Sequence, residues 1–95
     1  MLTGKQRATL RKMANPIPAL YQIGKDGITE NIIKQFDEAL EARELIKVHI
    51  LDSALLDTRP TADELAERLG ADTVQSIGSK FVLYRRSENN PKIEI

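Results

Sequence analysis

Three observations in this 95-residue sequence predict an α/β domain built on a four-stranded mixed sheet. Apolar residues recur at helical spacing in three segments, each opened by a residue suited to cap a helix. Short runs of alternating or continuous apolar residues separate those segments, as strands do. The last two runs are divided only by Gly78-Ser79, a loop that fits a tight antiparallel hairpin. The predicted order is α-β-α-β-α-β-β. Strand–helix–strand crossovers are right-handed, and the half-polar second strand leaves one sheet face open. The expected architecture is therefore a two-layer sandwich with the helices mainly on one face.

The first helix follows Thr3, which with Gln6 has the spacing of a capping box. Leu10, Met13 and Ala14 form its apolar stripe, and Asn15-Pro16 ends it because a residue before proline avoids helical angles. Residues 19–23 read as a short strand, and Gly24-Lys25-Asp26-Gly27 as the turn after it. The second helix starts at Thr29, an N-cap, with Glu30 in the positive first turn and Ile28 and Ile33 spaced as a hydrophobic staple. Ile32, Ile33, Phe36, Ala39 and Leu40 make its wide apolar face.

Residues 45–51 alternate, with Ile46, Val48 and Ile50 on one face and Lys47 and His49 on the other. A loop through Asp52–Pro60 is expected next, then a third helix opened by a Thr61/Glu64 capping box, buried through Ala62, Leu65, Ala66 and Leu69, and stopped by Gly70. Residues 73–77 and 80–86 are the two hairpin strands. Residues 1–86 thus form a single domain, and the polar stretch 87–95 is expected to fray.

The composition narrows the chemistry. A chain this short buries about 60–65% of the surface its unfolded form exposes, which allows one modest core. Without cysteine there is no disulfide framework, thiolate metal site or cysteine nucleophile. The single histidine, His49, stands mid-strand with no partner spacing, and reads as a solvent-facing strand residue. With so few good ligands no metal site is expected, nor any cofactor, and no enzyme. No apolar run is long enough to span a membrane, and the start carries no secretory pattern, so a cytoplasmic protein is expected.

The net charge of zero hides a segregation. Residues 1–25 carry +5 with no acid, residues 26–72 carry −7, and residues 73–95 carry +2. A chain patterned this way can present a basic face and an acidic face. Lys5, Arg7, Arg11, Lys12, Lys25, Lys80, Arg85 and Arg86 are the candidate phosphate contacts, with Lys47 a weaker one. Two glycines in a strand-to-helix turn are often mere punctuation. They also let backbone approach a phosphate closely at a helix N-terminus, where an anion is favoured.

At this turn the chain resembles a known family. IGKDGIT before an amphipathic helix, then ELIKVHI, then QSIGSKFVLYRR, occur in the order found in the CRM domain, named for chloroplast RNA splicing and ribosome maturation. The resemblance, to the free-standing bacterial YhbY-like form, runs from about residue 2 to residue 86. It implies a fold similar to the C-terminal domain of translation initiation factor three. It also implies RNA binding, with ribosomal RNA in large-subunit precursors as the partner, and places the family's GxxG loop on Gly24, Lys25, Asp26 and Gly27. That loop often carries two basic middle residues. Here the second is Asp26, which together with the zero net charge lowers the affinity expected for bare RNA. A different reading of the same charges is a protein-interaction module that uses the acidic surface of the second and third helices. The two can coexist on opposite faces, since an assembly factor can touch both RNA and ribosomal proteins.

Overall fold

The computed structural model describes residues 2–95. Its elements are α1 (Gly4–Ala14), β1 (Tyr21–Ile23), α2 (Glu30–Arg43), β2 (Leu45–Ile50), α3 (Thr58–Leu69), β3 (Asp72–Ile77) and β4 (Lys80–Tyr84). The order matches the one read from the sequence. The strands lie β1-β2-β4-β3, with β1 parallel to β2 and the other pairs antiparallel. No helix among the described residues is long and apolar enough to cross a membrane.

The sheet has an apolar layer on each side. On one, Ile46, Val48, Ile50, Phe81 and Leu83 pack with Phe36, Leu40, Leu65 and Leu69 of α2 and α3. Tyr21 closes that layer edge-on against Phe36, with ring centroids 5.7 Å apart. On the other side α1 lays Leu10 and Ala14 over Leu45, Val74, Val82 and Tyr84. Two helices therefore share one face as expected, while α1 covers part of the opposite face. A leading helix with no strand before it is not subject to the crossover rule, so its side was not legible from topology.

The caps of α1 and α2 form as the sequence predicts. The Thr3 hydroxyl accepts from the Gln6 amide at 3.1 Å, and the Gln6 side chain accepts from the Thr3 amide at 3.0 Å. The Thr29 hydroxyl accepts from the Ile32 amide at 3.1 Å.

Three details differ from the sequence reading. The first strand begins at Tyr21 and the last ends at Tyr84, so Arg85 and Arg86 lie beyond the sheet. The Thr61/Glu64 box does not form: α3 starts four residues earlier, at Thr58, with Asp57 and not Thr61 at the cap position. Pro60 stands in the first turn, where its missing N–H would have had no intrahelical partner, and the Thr61 amide already donates to the Asp57 carbonyl at 3.2 Å.

The third difference is the stretch 87–95, which is tied down instead of frayed. Glu44 ends α2 with φ 67°, and its buried carboxylate accepts from the amides of Ser87 (2.8 Å), Lys92 (2.6 Å) and Ile93 (2.7 Å). Glu41, one turn earlier, accepts from the Ser87 hydroxyl (2.6 Å) and the amides of Glu88 and Asn89 (both 3.1 Å). Ile93 packs against the α1 side of the core. Polar composition suggests fraying, but two carboxylates collect five backbone donors that would otherwise face water.

Candidate nucleic-acid interface

The Gly24–Gly27 turn joins β1 to α2 and is closed by its own hydrogen bond, the Gly27 amide donating to the Gly24 carbonyl at 2.9 Å. Gly27 has φ 67°, a conformation that a side chain would strain by about 1–2 kcal/mol. Gly24 is different. A Cβ there would stand 3.9 Å from Leu51 Cδ1, an ordinary contact, so neither its backbone angle nor its surroundings demand glycine. Lys25 and Asp26 are exposed, and a cleft of about 230 Å³ opens between the turn and the first residues of α2, lined by Gly24, Lys25, Asp26, Gly27, Asn31 and Gln35. The Leu51 amide donates to the Ile23 carbonyl at 2.9 Å and fixes the turn at the end of the sheet.

Beside this turn runs a row of side chains that the sequence could not assemble. Gln22 pairs with His49, and His49 with Lys80, so the three stand side by side across β1, β2 and β4. Directly paired residues share a face, and alternation puts this row on the α1 side of the sheet, beyond the end that α1 covers. Lys47 lies on the same face and reaches the Asn15 carbonyl at the C-terminal end of α1, at 3.4 Å. Alternation alone puts Lys47 and His49 on one face of the strand, and both are half-buried there. The register that brings Gln22 and Lys80 to them needed the structure.

The predicted contact residues divide into two groups. Lys5, Arg11, Lys12, Lys25, Lys80 and Arg86 are exposed. Arg7 and Arg85 are not free in the same sense. The Arg7 guanidinium donates to the Thr73 carbonyl and weakly to that of Val74 at 3.5 Å, tying α1 to the edge of the sheet. Arg85 donates to the Asp37 carboxylate (2.6 Å), the Leu69 carbonyl (2.9 Å) and the Asp37 carbonyl (2.9 Å), with its side chain only 19% exposed. It joins the C-terminal ends of β4 and α3 to α2, which makes it a structural cation. Tyr84 is buried. Burial and the neighbouring Glu44 charge push its hydroxyl above the ordinary tyrosine range.

The electrostatics follow the layers. The sheet face that carries α1 presents Lys5, Arg11, Lys12, Lys47 and Lys80, and α1 contains no acid. The exposed surface of α2 and α3 carries Glu30, Asp37, Glu38, Asp63, Glu64 and Glu67 against Lys34, Arg43, Arg59 and Arg68, a mixed surface with a net negative balance. The segregation along the sequence thus becomes a difference in balance between faces.

Residues 2–85 match the model of the CRS1 / YhbY (CRM) domain. The chain belongs to the CRM domain family. It is 45% identical to the Bacillus subtilis protein named "Probable RNA-binding protein YqeI", across 100% of this chain and 99% of that protein. It is 32% identical to the Pseudomonas aeruginosa protein named "Probable RNA-binding protein PA4753", covering 96% of this chain and 85% of the relative. The solution structure of SAV1595 from Staphylococcus aureus superimposes with a TM-score of 0.79 at 47% identity, covering 100% of this chain and 99% of that one. The CRM match spans the turn, the open sheet row and α1 together, so all three belong to the shared domain.

Proposed function

We propose that this CRM domain is a non-catalytic RNA-binding protein of the cytoplasm that docks on structured ribosomal RNA during assembly of the large ribosomal subunit. The observation that carries the reading is the gathering of unpaired cations on one face. Lys5, Arg11 and Lys12 on α1 and Lys80 on the sheet are exposed on the side of the sheet that α1 covers, make no ion pair among the described residues, and are joined by Lys25 in the turn. Cations held this way neutralise phosphates and set position and affinity more than sequence choice. The names of the relatives point the same way. Without an exposed aromatic platform on the sheet, the domain recognises shape and backbone better than unstacked bases.

The test is the salt dependence of binding to an RNA hairpin. If about four to six phosphates are neutralised, log K falls against log salt with a slope near −3 to −5. A slope near zero overturns the basic-face reading. Within the turn, Lys25→Ala is expected to weaken binding about fivefold, the scale of one exposed charge-assisted contact, and Asp26→Lys to strengthen it. Two variants that bind like the parent would leave the glycines as punctuation. Enrichment of proteins that survives nuclease treatment would instead favour the acidic face of α2 and α3 as the working surface.

A further inference from the structure

The sheet has a second charged feature, at the edge opposite the Gly24–Gly27 turn. β3 is an edge strand, and a cleft of about 360 Å³ runs along it. Three arginines line that cleft: Arg7 and Arg11 from α1 and Arg59 from the first turn of α3. The two helices lie on opposite faces of the sheet, so the guanidinium groups approach the edge from both sides. We propose that this edge cleft is a second phosphate-backbone contact for RNA, with Arg59 as a binding residue. The proposal rests on the RNA-binding reading above and adds a site on the far edge of the sheet.

The hydrogen bonding leaves donors available. Arg59 uses only Nε, which donates to the Asp63 carboxylate at 3.1 and 3.3 Å, so both terminal nitrogens remain open. Arg11 makes no ion pair among the described residues and is exposed. Asp63 is the one carboxylate held here. It pairs with Arg59 and accepts from the Thr73 hydroxyl at 2.9 Å, so the cleft lined by three arginines has one carboxylate at its margin. Such an excess draws a polyanion, and forked guanidinium donors match phosphate oxygens.

An edge strand could instead add a strand from an acidic peptide. The structure argues against it. Arg7 already occupies the carbonyls of Thr73 and Val74, and the β3–β4 register shifts between Thr73 and Gln75, so the edge offers no regular ladder at that point.

The experiment compares Arg59→Ala with Arg68→Ala on the intact chain. Both arginines are exposed on α3 and pair with an acid one turn away, Asp63 and Glu64, so neither change costs much stability. The probe is a fluorescent RNA hairpin with a stem of about 16 base pairs, long enough to cross two grooves. Arg59→Ala is expected to weaken binding about fivefold and to reduce the salt slope by about one, with Arg68→Ala unchanged. Asp63→Asn keeps the acceptor for Thr73 and removes the competing charge, so it is expected to tighten binding. Equal losses for the two arginines, or no loss for Arg59→Ala, overturn the proposal. If Arg59→Ala spares RNA but abolishes binding of an extended Glu-rich peptide, the edge is a strand-addition site instead. A parent that shows no salt-dependent RNA binding removes the underlying reading along with it.

Discussion

Glu44→Gln tests whether the clamp on residues 87–95 stabilises the whole domain. One Glu44 oxygen accepts from Lys92 and Ile93 and the other from Ser87. A glutamine keeps one acceptor oxygen, so in its better orientation the Ser87 amide meets an NH₂ group and loses its partner. A buried N–H left unpaired costs about 1–3 kcal/mol, and the two bonds that remain change from charged to neutral acceptors, about half as strong. Together the loss is about 3 kcal/mol, out of a total of about 5–14 kcal/mol for a domain of this size. At about 4–8 °C per kcal/mol the melting temperature should fall by about 12–24 °C. Circular dichroism gives the transition, and hydrogen exchange at the Ser87, Lys92 and Ile93 amides locates it. A fall smaller than about 4 °C would refute the reasoning, because the clamp would then contribute less than about 1 kcal/mol.

The same clamp fixes a pH dependence. At Glu41 the Ser87 hydroxyl, and then the Glu88 and Asn89 amides, hold the carboxyl below its ordinary value of 4.5. At Glu44 burial works to raise the value, but the Ser87, Ile93 and Lys92 amides and the Arg86 charge outweigh it, and the net direction is also down. Groups lowered on folding contribute stability above their unfolded value and lose it as pH falls through the folded one. The gap between parent and Glu44→Gln is therefore expected to be full at neutral pH and to close in acid below 4.5.

Two further predictions separate fold from binding. Gly24→Ala is expected to melt like the parent yet weaken RNA binding where phosphate approaches its backbone, whereas Gly27→Ala should lose about 1–2 kcal/mol of stability through its φ of 67°. Thermal melts run beside RNA titrations check both, and equal melting temperatures for the two would contradict the strain argument. Arg7→Glu is expected to destabilise, because it removes the tie to the β3 carbonyls, while Arg11→Glu should weaken RNA binding with the melt unchanged. A parent-like melt for Arg7→Glu would show that the tie contributes nothing.

What the sequence made legible was local. α2 carries its cap, its staple and its apolar face within one short stretch, and each is satisfied by neighbours along the chain. The turn at Gly24–Gly27 was visible for the same reason. The start of α3 was misplaced because Thr61 and Glu64 have the spacing of a capping box and Pro60 reads as loop, although a first turn accepts proline. The clamp escaped notice because Glu41 and Glu44 sit on a helix whose polar face already explains acids, and their partners lie more than forty residues away.

The same blindness to distant partners governs the count of usable cations. A sequence shows that Arg7 and Arg85 are charged, but not that Arg7 holds a carbonyl 66 residues on and Arg85 a carboxylate 48 residues back. Removing those two leaves Lys5, Arg11, Lys12, Lys25, Lys80 and Arg86 exposed, with Lys47 half-engaged at the end of α1. Arg59 then enters from a segment whose overall charge is negative, because the fold carries it to the β3 edge beside Arg7 and Arg11, with Asp63 the acid it still pairs through Nε. These six together with Arg59 cover the roughly four to six phosphates that a salt slope of −3 to −5 requires. A measured slope much steeper than this would mean that Arg7 or Arg85 leaves its present partner on binding. The salt titration therefore reads out whether the domain meets RNA as a rigid surface or rearranges at α1 and the end of β4 to do so.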